Sequence, residues 1–379
     1  MIKNTLLKYF FLLAIILFIN SCTGFNKPKQ IEIYLVQTTD VHGSIFPYDF
    51  IRDKQVDNSL AQVYSFVEKY RNDSGSELIL LDNGDILQGQ PPVYYSNYEE
   101  VNLPHICSKV MNYMKYDVAS IGNHDIEAGH AVYDKLVSEF DFPWLAANAV
   151  LKGTDTPYFR PYTVIRRRGV KVAVLGLITP GIPKWLPENL WKGMEFTDMV
   201  KAAKYWVPLI IEKEKPDILV GLFHAGHDYT YGGEEASTLR NGNASLLVAE
   251  QVPGFDVIFI GHDHDEFKQL VTCVDGSKVL VLDPGSHARN VSLAQIMLNW
   301  DKEKKEYKKM VKGSLIPMDN IKPDEQFMKD FEPDFENFKE YVSKKAGRFE
   351  KSISSVASLF GDSPFMDLIH KVQLQVSGA

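Results

Sequence analysis

Five short apolar runs in this chain each lead straight into residues that bind metals or move protons, and this constrains the fold more than any other feature. Residues 31–36 run into Asp40 and His42, 78–81 into Asp85, 118–121 into Asn123 and His124, 218–223 into His224, and 257–260 into His262 and His264. Two further runs, 172–177 and 279–282, have the same character. Continuous apolar stretches of this length read as buried strands. Between them Leu60, Val63, Tyr64 and Val67 recur at helical spacing, as do Tyr133, Leu136, Val137 and Phe140, so the connections are amphipathic helices. Strands alternating with helices predict a layered α/β domain. In such sheets the crevice beyond the carboxyl ends of the strands is where ligands bind, so the chemistry-bearing residues converge on one sheet edge. Residues 279–298 read as late strands pairing around a turn.

The 379 residues, 45% of them hydrophobic, suffice for a large core and about two domains. Near residue 301 the character changes. The stretch Asp301-Lys-Glu-Lys-Lys-Glu-Tyr-Lys-Lys309 reads as a solvated turn, and residues 319–346 as a connecting, linker helix. The amino terminus is an export signal: Lys3 and Lys8 precede an apolar run over residues 9–19, then Asn20, Ser21 and Cys22. The run is shorter than the roughly 20 residues a spanning helix needs. Ending at a cysteine, it resembles a bacterial lipobox, with residues 1–21 removed, Cys22 acylated and residues 22–30 a linker; a plain cleaved signal is the alternative. Acyl chains add about 0.8 kcal/mol per buried methylene, which holds an exported protein at a membrane, facing the periplasm or the cell surface.

The chain carries 41 basic and 49 acidic residues. Loss of residues 1–21 removes two lysines, so the balance becomes 39 − 49 = −10. An acidic chain is a poor partner for long nucleic acid. A metal ion at the site would still draw phosphate. Beyond Cys22 only Cys107 and Cys273 remain, which allows one disulfide or none.

Imidazole with carboxylate and amide oxygens suits divalent Mn, Fe, Co or Zn, and carboxylates also admit Mg. Two ions about 3.5–4 Å apart need a bridging carboxylate and acidify a shared water. Asp85 is the bridge expected here. Asp40 with His42, and His262 with His264, stand two residues apart, which in extended backbone aims both donors one way. Any one of these residues alone reads as a cap or a surface hydrogen-bonding group; His224 by itself is no signal. Together they are. Five of the ten histidines fall in these motifs, while His105, His130, His227, His287 and His370 do not; of these, His227 lies close enough to line the cleft.

Thr39-Asp40-Val41-His42-Gly43, Asn83-Gly84-Asp85, Gly122-Asn123-His124-Asp125, Phe223-His224 and Gly261-His262-Asp263-His264 occur in the order of the calcineurin-like metallophosphoesterases, which the chain resembles from Ile31 onwards. Thr38-Thr39-Asp40, the stretch from Leu81 through Asp85 to Pro91, and Gln251-Val-Pro-Gly-Phe-Asp256 are similar to secreted 5′-nucleotidases and 2′,3′-cyclic-nucleotide 2′-phosphodiesterases. The resemblance implies a four-layer α/β/β/α sandwich over residues 31–318. It implies Asp40, His42, Asp85 and His264 around one ion, and Asp85, Asn123, His224 and His262 around the other. It gives His124 the role of stabilising the phosphoryl charge or protonating the leaving oxygen, oriented by Glu127, with Asp125 the competing partner and a helix first-turn acid the plainer reading of Glu127. The implied reaction is hydrolysis of nucleotide phosphate esters by a metal-bridging hydroxide. The cyclic phosphodiesterase and 3′-nucleotidase branch and the 5′-nucleotidase branch are both open. A sugar-nucleotide hydrolase and a non-catalytic lipoprotein that captures phosphorylated ligands are the alternatives. In this group bases stack on a second, carboxy-terminal domain. Residues 347–379 look like its opening, incomplete here.

Overall fold

A computed structural model describes residues 30–73, 77–304 and 306–378; the export signal and Cys22 lie outside them. The chain divides into two compact units, Met1–Phe338 and Lys339–Ala379. In chain order the strands are β1 (Gln30–Thr38), β2 (Tyr48–Asp49), β3 (Lys54–Gln55), β4 (Glu77–Asp82), β5 (Val118–Ser120), β6 (Trp144–Leu145), β7 (Ala149–Leu151), β8 (Tyr162–Arg167), β9 (Val170–Ile178), β10 (Met194–Phe196), β11 (Ile218–His224), β12 (Val257–Ile260), β13 (Glu266–Thr272), β14 (Lys278–Pro284), β15 (Asn290–Asp301) and β16 (Glu306–Pro317). Two six-stranded sheets hold most of them, ordered β16-β15-β1-β4-β5-β6 and β13-β14-β12-β11-β9-β8. The parallel strands β1-β4-β5-β6 of the first sheet have antiparallel β15 and β16 on one side only, while β9-β11-β12-β14 of the second are flanked by antiparallel β8 and β13.

The sheets face each other across a dry layer that includes Leu35, Ile79 and Leu81 from the first and Val174, Leu222 and Phe259 from the second. Helices Leu60–Arg71, Ile106–Tyr113 and His130–Glu139 cover the outer face of the first sheet. Met199–Glu214 and Ser245–Gln251 cover the second, giving four layers, α/β/β/α. With both faces buried, the central strands must be apolar throughout rather than alternating, and all seven apolar runs are strands.

Three expectations about the later elements fail. Residues 279–298 do not form a pair: β14 lies in the second sheet and β15 in the first, and the chain crosses between sheets through left-handed backbone at Gly285, His287 and Ala288. Their true partners are β13 and β16. The charged stretch after Asp301 is a turn only briefly; Glu306–Pro317 is a twelve-residue edge strand. Its inward positions include Tyr307, Val311 and Leu315, which pack on the inter-sheet layer. Between them, Lys309 is drawn to Asp256 at 2.6 Å and Gly313 sits where a Cβ would come within 2.6 Å of Leu280. A lysine and a glycine on the buried side hide the alternation, and lysines are a common guard on edge strands.

Beyond β16, helices Glu325–Asp330 and Glu332–Ser343 replace the single expected linker helix. Phe327, Phe331 and Phe338 are buried, and Phe338 lies 6.3 Å from both Phe46 and Phe50, which carries the first unit to Phe338. The second unit contains the helix Pro364–Ser377, capped by Ser363. Cys107 and Cys273 are free and buried. Among the described residues no helix is long and apolar enough to cross a membrane.

Candidate metal centre

All seven expected ligands lie at one end of the two sheets. Asp40 and His42 follow β1, Asp85 follows β4 and Asn123 follows β5, all from the first sheet; His224 ends β11, and His262 and His264 follow β12, from the second. The backbone there is not extended, which corrects the sequence expectation for the paired donors. Asp40, His42, Asp85, His262 and His264 all have positive φ, between 48° and 91°. Such conformations cost of order 1–3 kcal/mol for a non-glycine residue and persist at functional sites. Gly122 gives the room that Asp85 needs, since a Cβ there would lie 2.1 Å from Asp85 Oδ1.

The donors form two groups. In the first, His264 Nε2 stands 3.3 Å and His42 Nε2 4.0 Å from Asp40 Oδ1, and the two Nε2 atoms are 3.0 Å apart. In the second, with His262 beside them, His224 Nε2 is 3.2 Å from Asp85 Oδ2 and 3.1 Å from Asn123 Oδ1. Each group draws residues from both sheets. Tautomers follow from the outer partners. His42 Nδ1 faces the Gln88 carbonyl at 3.1 Å and His224 Nδ1 the Asn83 carbonyl at 2.6 Å, so both Nδ1 atoms carry hydrogen. Both Nε2 atoms then point lone pairs inward.

Lone pairs aimed at carboxylate and amide oxygens call for positive charge between them. Burial opposes a proton on His224, yet the Asp85 and Asp40 carboxylates override it and raise the ring to about 10, so positive charge is favoured at Nε2, carried by a proton there unless a cation takes the lone pair. Burial likewise opposes ionisation of Asp85, but His224 holds it far below the usual carboxylate range. Asp40 Oδ1 is buried without a hydrogen-bond partner among the described residues, while Oδ2 accepts from Thr39 Oγ1 at 2.5 Å and His262 N at 3.0 Å. An orphan carboxylate oxygen beside inward-pointing imidazoles fits a divalent cation in the first group, and the Asp85 carboxylate with the His224 and His262 rings and the Asn123 amide oxygen offers a matching donor set in the second.

His124 and Glu127 stand apart from these donors. His124 Nδ1 bonds the Glu127 carboxylate, and its ring meets that of His42 edge-on at 5.5 Å. Burial lowers the pKa of His124 and Glu127 and Asp85 raise it, with a net rise. Asp125 is turned away. It is fully buried and accepts from the amides of Asp85, Ile86, Leu87 and Gly122 at 2.7–3.1 Å, which fixes the loop behind Asp85 and leaves no place for His124.

Two further histidines stand at the site: His287, which the sequence pattern left aside, and His227, expected to line the cleft. His287 N donates to Asp40 O at 2.8 Å and its ring lies 5.3 Å from His42; it too follows a strand, β14, and the same strand-end rule would have found it. His227 Nδ1 lies 2.6 Å from Asp263 Oδ2, and with Asp265 these make a third acidic group. Two cavities flank the centre. One, of about 540 Å³, includes Trp185, Tyr231, His227 and His262; the Trp185 indole stacks on His262 at 5.4 Å. The other, of about 260 Å³, includes Tyr94, Tyr98, His124 and Glu127.

The profile of the calcineurin-like phosphoesterase family matches residues 33–266. The trifunctional nucleotide phosphoesterase protein YfkN of Bacillus subtilis is 27% identical over 92% of this chain and 25% of its own length. A 2′,3′-cyclic-nucleotide 2′-phosphodiesterase/3′-nucleotidase of Haemophilus influenzae is 27% identical over 91% of this chain and 55% of its own length. The chain thus spans about half or less of the curated relatives it matches. The crystal structure of calcineurin-like phosphoesterase YfkN from Bacillus subtilis superposes with a TM-score of 0.73 at 26% identity, over 83% of this chain and all of that one.

Proposed function

Since the chain belongs to the calcineurin-like phosphoesterase family, we propose that it hydrolyses phosphate esters of nucleotides at a centre of two divalent ions. The observation that carries this reading is the pair of inward-facing donor groups, Asp40, His42 and His264 in one and Asp85, His224 and His262 in the other, with the His124–Glu127 pair beside them. Asp40, His42, Asp85 and His264 would hold one ion, and Asp85, Asn123, His224 and His262 the other. When bound, two such ions offset charge building on phosphoryl oxygens and lower the pKa of water.

The chain's own residues then supply orientation. Gln88 and Asn83 carbonyls fix the His42 and His224 rings, so neither has to reorganise when substrate arrives. Glu127 holds Nδ1–H of His124, which leaves Nε2 as the atom that meets the phosphoryl group or the leaving oxygen. The bonds from Asp125 to four amides keep the Asp85 loop from moving.

The names of the relatives, together with Asn83-Gly84-Asp85 and Gln88-Gly89-Gln90-Pro91, favour the cyclic phosphodiesterase and 3′-nucleotidase branch over the 5′-nucleotidase branch. We also place the protein outside the cytoplasm, anchored through acylated Cys22, on the basis of the apolar run at residues 9–19. Rates on a 2′,3′-cyclic mononucleotide, a 3′-mononucleotide, a 5′-mononucleotide, a sugar nucleotide and a polymer, with Mn, Zn, Co or Mg added, test the activity. Turnover of at least one mononucleotide, lost on chelation, is expected. Binding without turnover of any of them would leave a capture protein, and preference for the polymer a nuclease.

A further inference from the structure

Asp263 stands between His262 and His264 and serves neither donor group. With His227 and Asp265 it forms a third cluster, whose ligand atoms lie within 4.8 Å of one another. The cluster is built where two neighbouring strands of the second sheet end, His227 just past β11 and the two acids just past β12. Phe267 stacks on the His227 ring at 4.3 Å and sets its plane. The His227 amide donates to Asp263 Oδ2 at 2.9 Å, and Nδ1 of the same histidine lies 2.6 Å from that oxygen.

What these bonds leave over is charge. Asp263 Oδ1 and His227 Nδ1 are buried without a hydrogen-bond partner among the described residues, and so is Oδ2 of Asp283, near the end of β14. Asp283 is fully buried, at 0% exposure. Its Oδ1 accepts from the Gly285 amide at 2.9 Å, and its carboxyl group lies within hydrogen-bonding reach of the Asp263 side chain. Two acids thus meet with no donor between the oxygens left over, and burial, then the Asp263 and Asp40 carboxylates, push the Asp283 carboxyl well above its usual range. Buried charge of one sign is relieved by pairing or by a metal ion. A proton shared by the two acids would satisfy them, yet it leaves the approach of His227 Nδ1 and of the exposed Asp265 without a cause. The cavity in front, of about 540 Å³, is acidic too: Asp228, Glu234, Asp263 and Asp265 line it with Lys184, and Glu234 already holds that lysine at 2.7 Å.

We propose that His227, Asp263 and Asp265 hold a third divalent cation, with the buried Asp283 carboxylate adding negative charge next to Asp263. One imidazole among carboxylates suits manganese or zinc better than calcium, which takes oxygen ligands. Because Asp263 is flanked by an expected ligand of each ion of the dinuclear centre, a cation here ties the His227 loop to the segment that carries both and braces it. Its donors are separate from the seven of that centre, so the site does not depend on ester hydrolysis.

The test counts Mn(II) bound per chain, by equilibrium dialysis and atomic emission, on the metal-stripped full chain reloaded with graded Mn(II). It compares the wild type with Asp265→Asn, His227→Gln and Asp85→Asn. Asp265 is exposed, so its variant keeps the fold even where His227→Gln does not. The wild type should bind one ion more than Asp265→Asn, or bind its last ion more tightly by at least the roughly 10–100-fold that follows from disturbing a group that merely orients a ligand. Asp85→Asn should weaken the dinuclear centre and keep the third ion. Equal counts and affinities in the wild type and Asp265→Asn overturn the proposal and leave a shared proton as the balance of the two acids. Loss of every ion together in Asp265→Asn overturns it too, since the cluster would then be part of the dinuclear centre. If Asp85→Asn binds as the wild type does, the dinuclear reading fails, while Asp265→Asn still decides the third site.

Discussion

Asp85 is held by its surroundings more than by its own preferences. Its backbone is left-handed at φ 58°, its amide is taken by Asp125 at 2.9 Å, and Oδ1 accepts from the His124 amide at 2.8 Å. Because Gly122 leaves only 2.1 Å between a modest Cβ and Oδ1, Gly122→Ala should push the carboxylate out of line. We expect turnover to drop by roughly the 10–100-fold typical of disturbing a group that orients a ligand, with metal content reduced. Equal activity and full metal occupancy in that variant would show that Asp85 tolerates the shift. Asp85→Asn, which keeps the shape and removes the charge, should lose more than this.

A second prediction at this scale concerns His105, which is not one of the expected ligands. Its Nδ1 accepts from the Cys107 amide at 3.1 Å and caps the helix Ile106–Tyr113, and burial, with Lys135 adding to it, lowers the ring to about 3. The unfolded chain takes up this proton as pH falls through about 6.5, and the folded chain resists it down to about 3. Stability is therefore unaffected above 6.5 and falls by about 1.4 kcal/mol per pH unit below it. His105→Asn retains an oxygen that caps and has no proton to gain, so its melting temperature should decline less steeply between pH 6 and 4.5. Parallel curves would mean that other groups set the acid limit.

At the scale of elements, all the parallel strands but the two-residue β6 were legible because burial on both faces forces a continuous apolar run, and five of the runs spill directly into chemistry at the carboxyl end. Leu78–Leu81 followed by Asp85 is the plainest instance, inside β4. β13 and β16 were not legible. Glu266–Thr272 is largely exposed, and Lys309 and Gly313 break the inward pattern of β16. The donors' left-handed turns were equally hidden, since nothing in Asp-x-His distinguishes a strand from a coil that turns back. The helices after β16 show the opposite case, in which aromatic residues in a polar segment mark burial. Phe327 is fully buried, with Phe331 at 4.8 Å, Tyr113 at 5.8 Å and Tyr64 at 5.9 Å. Phe327→Ala should cost about 3–5 kcal/mol, read as a lower urea midpoint for the first unit. A loss under about 1 kcal/mol would mean that these helices dock without sharing the core.

For the first unit as a whole, the placement of the ligands has a mechanical consequence. Asp40, His42, Asp85 and Asn123 stand at the ends of first-sheet strands, and His224, His262 and His264 at the ends of second-sheet strands. Each donor group mixes the two: Asp40 and His42 with His264, Asp85 with His224 and His262. Elsewhere the sheets are joined mainly by apolar contact, which is non-directional, whereas ions held by these groups would tie both sheets at one edge. Metal binding to the folded chain alone contributes about 2.7 kcal/mol per ion at a hundredfold excess over Kd, which is on the order of 4 °C in Tm for a unit of roughly 300 residues. Chelation should therefore lower Tm by about that amount. It should also raise hydrogen exchange at the carboxyl ends of β1 and β4 together with those of β11 and β12, leaving the antiparallel edges β8 and β16 as before. Loss of protection in one sheet alone would show that the ions bind without coupling the layers, and an unchanged Tm would show that the centre holds no ion tightly enough to matter.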